Sequence, residues 1–152
     1  MKACEGRLGR VFVIRLEDGD VLPACIERFA EENDISIGQA ILVGGIGEGN
    51  VVVGPRQSSE RPPQPMMLPI DGVHEVLGVG VLASSEDGKP VLHIHAALGR
   101  SGGTMTGCLR PGVATWIVGE VILYEILDVD AARVMDEESG FSLLNVRRSI
   151  KG

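Results

Sequence analysis

Between Val73 and Leu127 the chain is a succession of apolar runs, 73–83, 91–98, 104–109 and 114–127, interrupted by "SSEDGKP", "GRSGG" and "RPG". Runs of this length, rich in β-branched residues and bounded by Gly, Pro, Ser and Asp, read as strands joined by turns. "GRVFVIRL" (Gly9 to Leu16) is a further strand, closed by the turn signal "EDGD", and "QAILVGGIGEGNVVVGP" gives two more strands joined by glycines. Only one helix is predicted. Leu22, Cys25, Ile26, Phe29 and Ala30 recur at helical spacing, opposite Glu27, Arg28, Glu31 and Glu32. Asp20 is its expected cap, Pro23 sits in its first turn, and Asn33-Asp34 ends it. One N-terminal helix with many short-linked strands argues for an α+β domain with a largely antiparallel sheet.

At 152 residues, with no internal repeat, the chain has the length of a single domain, taken as 1–152 with its core at 9–127. Hydrophobic residues make up 44% but aromatics only 3%, so the core must be aliphatic. Residues 54–72 carry five prolines and little periodicity, which predicts a long loop. The extension at 128–152 holds the apolar "FSLLNV" and a basic tail, "RRSIKG". A net charge of −7 repels a phosphate backbone, and the scarcity of aromatics leaves no platform for stacking bases, so DNA is a doubtful ligand. Cys4, Cys25 and Cys108 are odd in number and lack CxxC spacing, which argues against a disulfide framework or a zinc ribbon. The start, "MKACEGRLGR", lacks the apolar stretch of a signal peptide, and no apolar run reaches membrane-spanning length. A cytoplasmic protein with no membrane partner is expected.

The stretch richest in chemistry is "HIHAALGRSGGTMTGCLRPG", His93 to Gly112. On a strand, His93 and His95 share a face about 7 Å apart. Cys108 joins them only if the intervening turn has the right length, because a slip of one residue reverses every side chain. A two-residue turn at Ser101-Gly102 sets Cys108 opposite His95. One at Gly102-Gly103 sets it opposite Ala97, still on the same face, and a three-residue loop sends it to the other side. Two-residue glycine-containing turns are favoured in hairpins, which favours convergence. Two imidazoles and a thiolate would leave a fourth tetrahedral position open to water or substrate, as in catalytic zinc sites. The alternative is that both histidines are satisfied polar residues and Cys108 an apolar filler. His74 could replace Cys108, although beside a loop it is expected to be solvent-exposed.

The order of strand, acidic turn, helix and "GIG" loop, followed by "GKPVLHIHAALGR", "TGCLRPG" and "VGEVILYEI", resembles the plants-and-prokaryotes-conserved (PPC) domain over Gly9 to Leu127. Members of the common type carry Gly-Gly-His where this chain has Thr106-Gly107-Cys108, so Cys108 stands in the place of a third histidine. The resemblance implies an α+β fold that forms homotrimers, with "GIG" near the subunit interface. It also implies a distant fold relationship to acetolactate decarboxylase, in which histidines hold zinc. In plant relatives an AT-hook grips DNA, and no Arg-Gly-Arg-Pro hook is present here.

Two other residues complete the candidate site. Glu120 lies in an otherwise apolar strand and would need a partner, for which Arg15 and Arg110 are candidates. Arg110 shares the strand parity of Cys108 and could hold a carboxylate substrate. "GGIGEG" is a tight strand connection rather than a dinucleotide loop, because valines follow where a phosphate-binding helix would begin. Two functions follow: a trimeric binding or regulatory module with a zinc site, DNA-binding by family name only, or a zinc-dependent lyase or hydrolase acting on a small carboxylate or carbonyl substrate. In the second, Glu120 is the acid/base and Arg110 orients the substrate.

Overall fold

In the strand β7 (Pro90–Arg100) Leu92, Ile94, Ala96 and Leu98 are buried while His93 and His95 are exposed, the period-2 alternation of a sheet with one face on a core. Its neighbour β6 (His74–Ser84) repeats the pattern with a difference: both faces are apolar. Val76 and Leu82 face the core, while Leu77, Val79 and Val81 stand exposed on the side that carries the histidines.

The computed structural model describes residues 1–146; the basic tail at 147–152 lies outside the described residues. The other elements are β1 (Arg7–Leu16), β2 (Val21–Leu22), α1 (Ala24–Glu32), β3 (Ile37–Glu48), β4 (Asn50–Pro55), β5 (Pro65–Pro69), β8 (Gly103–Leu109), β9 (Val113–Leu127), β10 (Ala131–Asp136) and β11 (Phe141–Val146). Eight strands run antiparallel in the order β1-β9-β3-β6-β7-β8-β4-β5, and β2 adds to β9. The pair β10-β11 forms a separate hairpin. The α+β, mostly antiparallel expectation therefore holds.

Helix α1 packs Ile26 and Ala30 against the core face, with Leu42, Leu82, Ile94, Leu98 and Leu123 in the same cluster. It also covers an open stretch of β7. The β7-β8 ladder begins only at His95, and the amide of Leu92 instead donates to the carboxylate of Glu27 on α1 at 2.9 Å. An orphaned strand N–H would otherwise be costly there.

Three sequence expectations change. Leu22 belongs to β2 and α1 starts only at Ala24, after Pro23. Asp20 does not cap the helix; its carboxylate accepts from the amide of Glu17 and closes the "EDGD" turn. The proline-rich 54–72 segment contains the edge strand β5 on β4. Edge positions tolerate Pro65 and Pro69, whose missing N–H groups would break an interior ladder. The helix end holds as expected: the amide and Nδ2 of Asn33 both donate to Phe29 O, and Asp34 takes a positive φ of 54°.

An ion pair between the exposed Arg10 and the buried Glu125 ties β1 to β9. Arg10 donates from its backbone N (3.0 Å) and Nε (2.7 Å) to Glu125 Oε2, and from Nη2 to Oε1 (2.7 Å). The Nη2 group also donates to Asn33 O at the end of α1. The side-chain hydrogen bonds of Arg10, followed by its backbone N–H, hold the Glu125 carboxyl down at about 2 against an ordinary 4.5. A carboxyl depressed on folding stabilises the protein above its unfolded value, and that contribution is lost as pH falls through the folded one. Acid titration of the melting temperature should therefore show a decline between about pH 4.5 and 2 that Glu125→Gln flattens; an unchanged profile in the variant would contradict this role. Leu98→Ala, at a fully buried site, should cost about 2–5 kcal/mol in urea unfolding. A cost under about 1 kcal/mol would place β7 outside the core.

Candidate metal centre

The connection between β7 and β8 is Ser101-Gly102, with φ of 50° and 80°, and Arg100 pairs with Gly103. Two successive positive φ values are the signature of a type I′ hairpin turn, whose twist matches that of the strands it joins. From this turn the register runs without a bulge to His95 opposite Cys108. Of the loops weighed from the sequence, only this one gives that pairing.

The next strand enforces the position of Cys108 from the other side. β4 pairs Val52 with Cys108 and Val51 with Leu109. A Cβ on Gly107 would stand 2.4 Å from Val52 O, so only glycine lets β4 approach here.

His93, His95 and Cys108 thus project from one sheet face, and their donor atoms all lie within 4.8 Å of one another. The Nε2 atoms of the two imidazoles face each other at 3.1 Å, with the rings nearly perpendicular at 87°. Donors around a tetrahedral zinc, at about 2.0–2.1 Å for nitrogen and 2.3 Å for sulfur, stand roughly 3.3–3.7 Å apart, so a small adjustment of χ angles makes the set fit. Burial, then the neighbouring His95, Arg133 and Arg110, push His93 below its ordinary 6.5. The shift favours the neutral imidazole, which has a lone pair to offer. Both histidines are exposed and Cys108 is half-buried, so a fourth ligand has access. The other cysteines take no part; burial, followed by the charge of Asp20, pushes Cys25 up to about 11.

The remaining candidates are scattered. Arg110 follows β8 directly, exposed, with its amide donating to Asn50 O, and its charge acts on His93. Glu120 is not sequestered in an apolar layer; it is exposed on β9. β3 and β6 lie between β9 and β7, which at about 4.8 Å per strand step puts Glu120 about 14 Å from the histidines across the sheet. Arg15 stands opposite Glu120 in the ladder, but its guanidinium pairs with Glu17. His74 is buried rather than exposed, with Nδ1 2.9 Å from Gly72 O. It sits on the core face of β6, five residues from the position facing His95, and cannot reach the cluster.

One residue beside the centre escapes the sequence reading. Arg133 on β10 is buried, donates from Nη2 to Val81 O at 3.0 Å, and has an Nε with no partner among the described residues. Val81 pairs with His93. The only sequence signal was an arginine within a short apolar run of the extension, which does not say where the hairpin folds. Two open clefts lie around the β7-β8 turn at Arg100–Thr104, with Arg100 about 17 Å along the strand from His95.

Several solved structures share this architecture. A PPC protein from Pyrococcus horikoshii superposes with a TM-score of 0.82 at 21% identity, covering 95% of this chain and 97% of the other. A metal-containing protein from Archaeoglobus fulgidus gives 0.82 at 27% identity, with 95% and 99% coverage. A candidate DNA-binding protein from Bacteroides thetaiotaomicron gives 0.76 at 18% identity, with 93% and 97% coverage. No curated protein sequence matches the chain. The model of the Plants and Prokaryotes Conserved domain, abbreviated PCC or PPC, matches residues 3–127, and the chain belongs to that family.

Proposed function

We infer that this protein is a homotrimeric PPC-domain module, binding or regulatory in role, built around a zinc site formed by His93, His95 and Cys108. The observation that carries this reading is the clustering of three metal-capable donor atoms within 4.8 Å on one sheet face. Mixed nitrogen and sulfur donors favour zinc over harder ions. The metal-containing relative from A. fulgidus, at 27% identity, supports the same reading.

The assembly is supported by the face itself. Val11, Val13, Val43, Leu77, Val79 and Val81 lie exposed on the histidine side of the sheet, with Val13 at 81% and Leu77 at 60%. A contiguous apolar layer of this kind is rarely left to water and marks a protein–protein contact. The charge of −7 speaks against nucleic acid as partner. DNA binding therefore attaches to the chain through the name of some relatives only. No helix among the described residues is long and apolar enough to cross a membrane; a cytoplasmic location remains part of this proposal.

The open coordination position supports a second reading, a zinc-dependent lyase or hydrolase acting on a small carboxylate or carbonyl substrate. Bound zinc would supply Lewis acidity toward a carbonyl or carboxylate oxygen. Arg110 would hold the substrate's anionic end beside His93. Glu120 is too far across its own sheet to exchange a proton at this centre and serves as acid/base only if a partner subunit brings it there. The distant relationship to acetolactate decarboxylase that the family resemblance implies motivates this reading only as a fold analogy, which does not transfer activity.

Protein purified without chelators or metal-affinity resin should contain about one zinc per chain by elemental analysis. Cys108→Ala should weaken zinc by at least about 10-fold, since loss of even outer-shell partners costs 10–100-fold. A wild-type protein without stoichiometric metal, or a variant of equal affinity, would remove the metal centre. Sedimentation should return about three times the 16.1 kDa chain mass, and Leu77→Asp should release subunits. A wild-type mass of one chain contradicts the trimer.

A further inference from the structure

We propose that Arg133 makes the metal centre an anion site, in which a small carboxylate bridges the metal position and the Arg133 guanidinium, with Arg110 at the entrance. The inference rests on the zinc reading given above and adds the class of ligand. It starts from an oddity: Arg133 is among the few charged residues that are buried, with 7% exposure, and no carboxylate pairs with it among the salt bridges of the described residues. Its Nε is fully buried and has no partner among the described residues. An uncompensated guanidinium donor is expensive to bury, and such a group calls for an anion.

The position of Arg133 says where that anion sits. A bridge between Ser85 and Arg133 brings β10 to the end of β6. Ala83, two residues before that bridge, has the outward parity of Val79 and Val81 yet is fully buried. From this edge Arg133 reaches back to Val81 O, and Val81 pairs with His93. Arg133, and Arg110 two residues beyond Cys108, would flank a bound divalent ion that only one thiolate offsets. The chain as a whole is acidic, so this concentration of positive charge is local to the site. Guanidinium forks match a carboxylate through both oxygens, and a remaining lone pair of one oxygen can still turn toward a metal. Arg133 lies beyond the residues matched by the family model, 3–127.

The test uses acetate as probe and the full-length protein loaded with Co(II), whose visible absorption reports the fourth ligand. Acetate should change the spectrum of the wild type saturably at constant ionic strength and pH. Arg133→Met should weaken acetate at least about 10-fold while Co(II) uptake stays intact. Arg133→Lys, which keeps the charge and guards against a misfolded methionine variant, should weaken it several-fold, because an ammonium lacks the fork. If Co(II) binds all three proteins and acetate affinity is unchanged, the anion site is wrong and the metal centre stands. If the wild type takes up no Co(II), the metal centre fails and the anion site with it.

Discussion

Two residues, Ser101 and Gly102, decide which face of the sheet receives Cys108. Because side chains alternate along a strand, a loop longer by one residue would carry that sulfur to the core side and leave His93 and His95 with no third donor. The positive φ at both turn positions is paid for with an ordinary serine and a glycine, and Gly107 holds the far end of the same hairpin by letting β4 close on β8. The register of the site is therefore pinned at two points, a turn and a glycine contact, and not by interactions among the ligands themselves.

The face that carries the cluster is unusual in being apolar around it. In β6 the residues facing away from α1 are Leu77, Val79 and Val81, where a sheet with one wet side would carry polar groups. A metal centre at the border of such a layer sits where subunits of a homo-oligomer would meet, which joins the two halves of the proposal. Burial of the surrounding surface would lower the local dielectric and strengthen both the metal–ligand and the arginine–anion interactions. It would also give Glu120, isolated within its own chain, a route to a neighbouring centre.

Much of this was legible from residue order alone. Strand alternation in β7, the glycines and serine of its turn, and the HxH spacing sufficed to bring three ligands together, because hairpins are local objects. What escaped was non-local. Asp20 looked like a helix cap, yet the Glu17–Asp20 turn that it ends claims the same carboxylate. The prolines of 54–72 concealed β5, since an edge strand needs only half its hydrogen bonds. His74 read as exposed beside a loop, but it opens β6 with the parity of Val76 and Leu82 and so faces the core. Arg133 was invisible because its role depends on where a hairpin 25 residues beyond Cys108 folds back against β6, and no periodicity encodes that docking.

The most direct measurement is a crystal of the protein grown in zinc, with diffraction recorded on both sides of the zinc absorption edge. A single anomalous peak is expected on the exposed sheet face, about 2.0–2.1 Å from an imidazole nitrogen of each of His93 and His95 and about 2.3 Å from Cys108 Sγ. A map with no peak there, or with Cys108 Sγ turned away from the two rings, would contradict the metal centre and everything built on it.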